Sequence, residues 1–122
     1  MYELFVKLHF SSAHKLAAYN GECSKLHGHN WEVKVYARAD KLNEIGIALD
    51  FKEFKKSVKE TVDRFDHVYL NDLEEYKNIN PTAENIARIL YKQLSDKINN
   101  DVIKIHMVEI WESEKQGARY FE

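Results

Sequence analysis

The chain has 122 residues, 44% of them hydrophobic and 31% charged, and eighteen basic side chains against twenty acidic ones give a formal charge of −2. That profile excludes an intrinsically disordered chain, and the interspersed lysines and acids form no basic stripe for a nucleic acid. No apolar stretch approaches the roughly 20 residues that cross a bilayer, and a single cysteine, Cys23, rules out an intrachain disulfide.

The length suits one domain over residues 1–122. Met-Tyr-Glu-Leu-Phe-Val carries no basic n-region or cleavage site, so the expectation is a cytoplasmic protein. From Tyr2 to Phe10, the apolar Tyr2, Leu4, Val6, Leu8 and Phe10 alternate with Glu3, Lys7 and His9. This predicts a half-buried strand running to about His14. Lys15 to Leu26 contains Asn20-Gly21 and reads as a loop. In the second strand His27, His29, Trp31, Val33, Val35, Ala37 and Ala39 share one face, and Asn30, Glu32, Lys34, Arg38 and Asp40 the other.

Asn43 to Gly46 reads as a turn and Ile47 to Leu49 as a short extended piece. Asp50 with Glu53 three residues later resembles a capping box, and Phe51, Phe54, Val58, Val62 and Phe65 predict a helix to about Phe65. Asp66 to Pro81 is polar and turn-rich. Thr82 then caps a second helix with the stripe Ala83, Ile86, Ala87, Leu90, Leu94 and Ile98. Val102 to Trp111 and Gly117 to Phe121 complete the set as strands. The order strand, strand, helix, helix, strand, strand implies an α+β domain, an antiparallel sheet with both helices on one face. Long outer strands would leave unpaired edges, which makes oligomerisation through them an expectation.

Leu26-His27-Gly28-His29-Asn30 is the most informative stretch. Residues i and i+2 of a strand point the same way, roughly 7 Å apart, so two imidazoles can converge on one ion. Gly28 between them would allow a close backbone approach. His14 shares the apolar parity of the first strand if no bulge intervenes. Three imidazoles on core faces without partners would cost several kcal/mol, a cost that a metal ion removes. Three neutral nitrogens suit zinc and leave a fourth position open, as a catalytic site requires. A lone buried histidine is more often a hydrogen-bonded core residue, and His9 and His106 are read that way.

Cys23, four residues before His27, is either a nucleophile or base with a lowered pKa, an inert thiol, or a fourth ligand closing a structural site. Asp66-His67 fits a proton-relay pair, although neighbours in sequence need not pair in space. Glu112 has the parity of Val108 and Ile110, so its carboxylate needs a partner: a cation, or a ligand offering two N–H donors.

Together these pieces resemble the 6-pyruvoyltetrahydropterin synthase / 6-carboxytetrahydropterin synthase family. The likeness runs through Phe10-Ser11-Ser12-Ala13-His14, the Cys23 to Asn30 segment and Leu49-Asp50-Phe51. It continues in Asp66-His67-Val68-Tyr69-Leu70-Asn71, in Asn80-Pro81-Thr82-Ala83-Glu84-Asn85 and in Trp111-Glu112-Ser113. The resemblance implies the tunnelling fold (T-fold) and a homohexamer of two stacked trimers. It implies zinc on His14, His27 and His29, with Cys23 as general base and His67 with Asp66 assisting proton transfer. Glu112 would anchor the pterin ring. The implied substrate is the small molecule 7,8-dihydroneopterin triphosphate, with no nucleic acid or membrane as partner. Three residues between Cys23 and His27 resemble the 6-carboxy-5,6,7,8-tetrahydropterin synthase branch, which feeds queuosine and other 7-deazaguanines. The alternatives are pyruvoyl-forming activity on the same substrate and a non-catalytic zinc- or pterin-binding module.

Overall fold

A computed structural model of the chain describes residues 1–17 and 25–122. Its strands are β1 (Tyr2–His14), β2 (His27–Ala39), β3 (Ile103–Ser113) and β4 (Gln116–Phe121), with helices α1 (Phe51–Val62) and α2 (Ala83–Ile98) between β2 and β3. The sheet order is β1-β2-β3-β4, every neighbouring pair antiparallel. This is the expected ββααββ arrangement.

β1 and β2 pair without a slip from Tyr2↔Ala39 to His14↔His27. Side chains alternate strictly along such a ladder, so the face that buries Val6, Phe10, Val33 and Val35 also carries His14, His27 and His29. In the β2–β3 ladder Tyr36 pairs with Met107 but Ala37 with Ile105, so His106 is the extra residue of a bulge. The bulge switches the buried phase from Ile103 and Ile105 to Val108 and Ile110, and it is this second phase that Glu112 inherits.

The helices cover that face. Trp31, Val33, Val35, Phe54, Val58, Leu90, Leu94, Val108 and Ile110 are essentially inaccessible to water. Removing a side chain of this size from water stabilises the fold by about 1.5–3 kcal/mol before entropy is charged against it. Asp50 caps α1, its Oδ1 accepting from Lys52 N (2.8 Å) and Glu53 N (3.2 Å). Thr82 Oγ1 caps α2 through Asn85 N at 3.1 Å.

Three local expectations differ. The α-helix ends at Val62 and a 3-10 turn carries Asp63–Phe65, which still buries Phe65. Phe51, at the first helical position, is 60% exposed and lies with Tyr2, Leu4 and Ile47 along an apolar groove rather than in the core. Ile47 to Leu49 forms no strand. Asn43 Oδ1 accepts from both Ile45 N and Ile47 N at 3.0 Å, and Gly46 takes φ 83°, so the segment is consumed in a turn.

The turn-rich stretch after α1 has a definite job. It runs parallel to the outer edge of β1, with His67 N donating to Ser11 O (2.6 Å) and Ala13 N to Val68 O (3.1 Å). It therefore covers the β1 edge at the end where the histidines sit.

Candidate metal centre

The unbroken β1–β2 register places His14 opposite His27 and Ser12 opposite His29. Their ring centroids lie 4.5 Å (His14–His27), 5.2 Å (His14–His29) and 4.7 Å (His27–His29) apart. Trp31, fully buried, stands edge-on to two of them at 5.0 and 5.1 Å and separates the cluster from the apolar core.

Hydrogen bonding fixes the tautomers. His14 Nδ1 lies 2.8 Å from Pro81 O, and His27 Nδ1 lies 2.7 Å from Lys25 O. A carbonyl only accepts, so both Nδ1 atoms carry protons and each ring, in its neutral form, presents a bare Nε2. Those two Nε2 atoms face each other at 3.0 Å. Two lone pairs cannot bond to each other; a cation between them resolves the conflict. Backbone carbonyls on the distal nitrogens are also the outer-shell support that metal-binding imidazoles take.

His29 Nε2 is buried and lies 3.1 Å from Glu112 Oε1, yet its geometry makes no hydrogen bond. The ligand atoms of His14, His27, His29 and Glu112 all fall within 4.8 Å of one another. Burial lowers the pKa of His14, against the raising effect of the Pro81 carbonyl, and burial likewise lowers that of His29, against the Glu112 charge. Both rings are thereby held neutral, the form that binds metal. The donor set fits a divalent metal ion.

Sequence reasoning placed the three histidines together and gave Glu112 a cation or a ligand as partner, the pterin ring by resemblance; within the chain the structure sets it against His29. Glu112 and His14 also line a cleft of about 610 Å³ shared with Asn80, Thr82 and Glu84. That size suits a small molecule. The places of Asn80 and Glu84 in the cleft wall were missed, because their motif Asn80-Pro81-Thr82-Ala83-Glu84-Asn85 reads as a helix start and as part of the family likeness, with no site role for either residue.

Asp66 and His67 do pair, Oδ2 to Nδ1 at 3.0 Å. Asp66 Oδ1 also accepts from Ser11 N at 2.8 Å, and that bond first, with His67 adding to it against slight desolvation, holds the Asp66 carboxyl below the usual range. His67 is exposed and adopts φ 55°, a left-handed conformation that histidine visits more readily than most residues. Cys23 lies outside the described residues. Among the described residues, a Cβ at Gly28 would meet only Ser12 O, at an ordinary contact distance of 3.7 Å. His9 sits on the outer face, 3.5 Å from Glu32, and His106 rests beside Phe121 with ring centroids 6.4 Å apart.

Comparison with known proteins agrees with this architecture. The chain is 33% identical over 126 aligned residues to a 6-carboxy-5,6,7,8-tetrahydropterin synthase of Synechocystis, covering 99% of this chain and 94% of that protein. It is 36% identical over 109 residues to a putative enzyme of the same name from Archaeoglobus fulgidus, covering 89% and 86%. The structure of Caenorhabditis elegans 6-pyruvoyl tetrahydropterin synthase superposes with a TM-score of 0.88 at 27% identity, covering 99% of this chain and 95% of that one. None of the described helices is long and apolar enough to cross a membrane. Residues 3–122 match the profile of the 6-pyruvoyl tetrahydropterin synthase family, and with relatives of this identity along nearly its whole length the chain belongs to that family of pterin synthases.

Proposed function

We propose that the chain is a zinc-dependent 6-carboxy-5,6,7,8-tetrahydropterin synthase. It takes 7,8-dihydroneopterin triphosphate and water to 6-carboxytetrahydropterin, triphosphate and acetaldehyde. The observation that carries the reading is the approach of the His14 and His27 Nε2 atoms to 3.0 Å with both Nδ1 atoms turned to carbonyls, joined by a buried His29 Nε2 that has no hydrogen-bond partner among the described residues, beside a cleft of substrate size.

His14, His27 and His29 would hold the zinc, which when bound supplies a Lewis acid for the hydroxyls of the substrate side chain. Glu112 anchors the pterin by accepting from its amino group and the neighbouring ring N–H; its place in the cleft wall supports that role. Cys23 takes the proton from the side-chain carbon. His67, oriented by Asp66 at 3.0 Å, moves protons to and from the side-chain oxygens. The reading carries with it a single domain over 1–122, a cytoplasmic place in queuosine and 7-deazaguanine synthesis, and a homohexamer of two stacked trimers. Two strand edges left unpaired among the described residues, that of β1 before Ser11 and that of β4, support assembly through the sheet.

The pyruvoyl-forming synthase is the second reading, favoured by the likeness to the nematode enzyme of that name. Three residues between Cys23 and His27 and the two relatives named as carboxy-forming favour the first. Incubation with dihydroneopterin triphosphate, with and without a chelator, followed by mass spectrometry of the products, decides. Chelator-sensitive release of acetaldehyde with 6-carboxytetrahydropterin is expected; a pyruvoyl product without acetaldehyde overturns the branch, and no turnover overturns the enzyme reading.

A further inference from the structure

Two pairs of donor atoms in the histidine cluster stand at nearly the same separation. His14 Nε2 lies 3.0 Å from His27 Nε2, and His29 Nε2 lies 3.1 Å from Glu112 Oε1. The donor atoms of all four residues fall within 4.8 Å of one another. Neighbouring ligand atoms on a tetrahedral zinc ion lie about 3.3 Å apart, so two edges of one four-cornered site are already near their bound length. The second edge is not a hydrogen bond, for the buried His29 Nε2 has no such partner among the described residues. A ring that binds metal through Nε2 has no proton there to donate, so the carboxylate oxygen meets a lone pair. The contact repeats the one between His14 and His27, and the same cation resolves both.

Glu112 also faces the cleft beside His14 and α2, and its side chain is 21% exposed, enough for a ligand to reach it. A carboxylate that accepts two parallel N–H bonds commits both oxygens to the donor and turns them from a cation on its other side. A metal ion and the two N–H groups of a pterin therefore compete for one side chain.

We propose that Glu112 is the fourth ligand of the metal while the cleft is empty, and that the N–H donors of an entering pterin draw it off. Binding of the ring then opens the coordination position that the hydroxyls of the substrate side chain require, so the position is free only when a ring is in place. The inference rests on the reading of Glu112 as pterin anchor and of the three histidines as metal ligands.

The test uses the full chain loaded with cobalt(II), whose visible absorption reports its ligands where zinc is silent. The probes are unsubstituted pterin, which carries the N–H donors but no side-chain hydroxyls, and azide, which binds an open coordination position. Pterin binding is followed separately by pterin fluorescence. Expected are a cobalt spectrum that changes as pterin binds and an azide affinity higher by about 10-fold or more with pterin present, the usual scale for coupled ligands. Glu112→Gln should keep its cobalt on three imidazoles, differ in spectrum from the unmutated chain before pterin is added, and bind azide about as tightly as the pterin-loaded chain. Bound pterin that leaves the spectrum and the azide affinity unchanged overturns the proposal and spares the anchor reading. A Glu112→Gln variant indistinguishable from the unmutated chain also overturns it, and so does outright loss of cobalt from that variant, which makes the carboxylate a permanent ligand. Failure of the unmutated chain to bind pterin sinks the anchor reading, failure to bind cobalt sinks the metal centre, and the proposal falls with either. The pterin arm needs no substitution, so a variant that does not fold leaves the test intact.

Discussion

His14 and His27 confront each other through Nε2 atoms 3.0 Å apart, each ring committed on its far side to a main-chain carbonyl. A tetrahedral ion with bonds of about 2.05 Å sets its ligand atoms about 3.3 Å apart, so the rings stand close to a bound arrangement. Metal removal should therefore destabilise the fold. With zinc at 100 times its dissociation constant the linkage is about 2.7 kcal/mol, and a chelator should lower the melting temperature by about 10 °C. Differential scanning calorimetry with and without chelator checks this, and His27→Ala should abolish the difference along with stoichiometric zinc.

Glu112→Gln separates anchoring from ligation. If Glu112 recognises the pterin through two N–H donors, the variant keeps its zinc while kcat/KM falls by roughly 100-fold or more, because one donor of the ring would face an amide N–H. Zinc lost from Glu112→Gln, read by elemental analysis, would make the carboxylate a fourth ligand instead.

Asp66→Asn preserves an acceptor for Ser11 N but removes the charge that orients His67. Turnover should fall by about 100-fold with KM nearly unchanged, the signature of a group that acts in proton transfer. Steady-state kinetics over a range of substrate concentrations measure both, and equal losses in binding and turnover would speak against the relay.

On the sheet face opposite to Val108 and Ile110, Glu109 is only 2% exposed. Desolvation pushes its pKa up, but hydrogen bonds from Trp111 and Arg119, the latter at 2.7 Å, outweigh burial and leave it depressed. A carboxylate with a depressed folded-state pKa contributes stability that is complete above its ordinary value of 4.5 and is lost as pH falls through the lower one. Arg119→Ala, with its half-exposed guanidinium removed, should cost about 1–3 kcal/mol near neutrality and lessen the dependence on pH below 4.5. Urea denaturation at several pH values measures both.

Gly117 lies where β4 comes back against β3 beside the Glu112 cleft. A Cβ there would stand 2.4 Å from Ile110 O and 3.1 Å from Trp111 Cα, both main-chain atoms that cannot swing aside. Gly117→Ala should destabilise by about 1–3 kcal/mol and weaken substrate binding, readable in chemical denaturation and KM.

The fold was legible where periodicity is strong. Strict alternation in β1 and β2 carried the register that unites His14, His27 and His29, since one slipped residue would have sent a ring to the opposite face. Phe51 misled because helical spacing says which face a residue shares but not whether the sheet extends beneath it. The contact between His29 and Glu112 was hidden because it joins strands 83 residues apart in sequence, and the bulge at His106 sets its phase. The bonds of Asn71 to the main chain of Lys15 and of Asn80 to that of Ala17 were invisible: an asparagine in a turn announces local bonding, whereas these bond 56 and 63 residues away.

The carbonyl that holds the His14 ring belongs to Pro81, and a carbonyl is present whatever side chain occupies that position. Point substitution at residue 81 cannot delete the acceptor; only a shift of the main chain can. That main chain is fixed one residue later by the Thr82 cap of α2 and one residue earlier by the Asn85 bond to Asn80. The aim of a metal ligand in one strand is thus governed by how a helix begins some 67 residues away, and a change that frays the first turn of α2 should be felt as weaker metal affinity long before the sheet itself is disturbed.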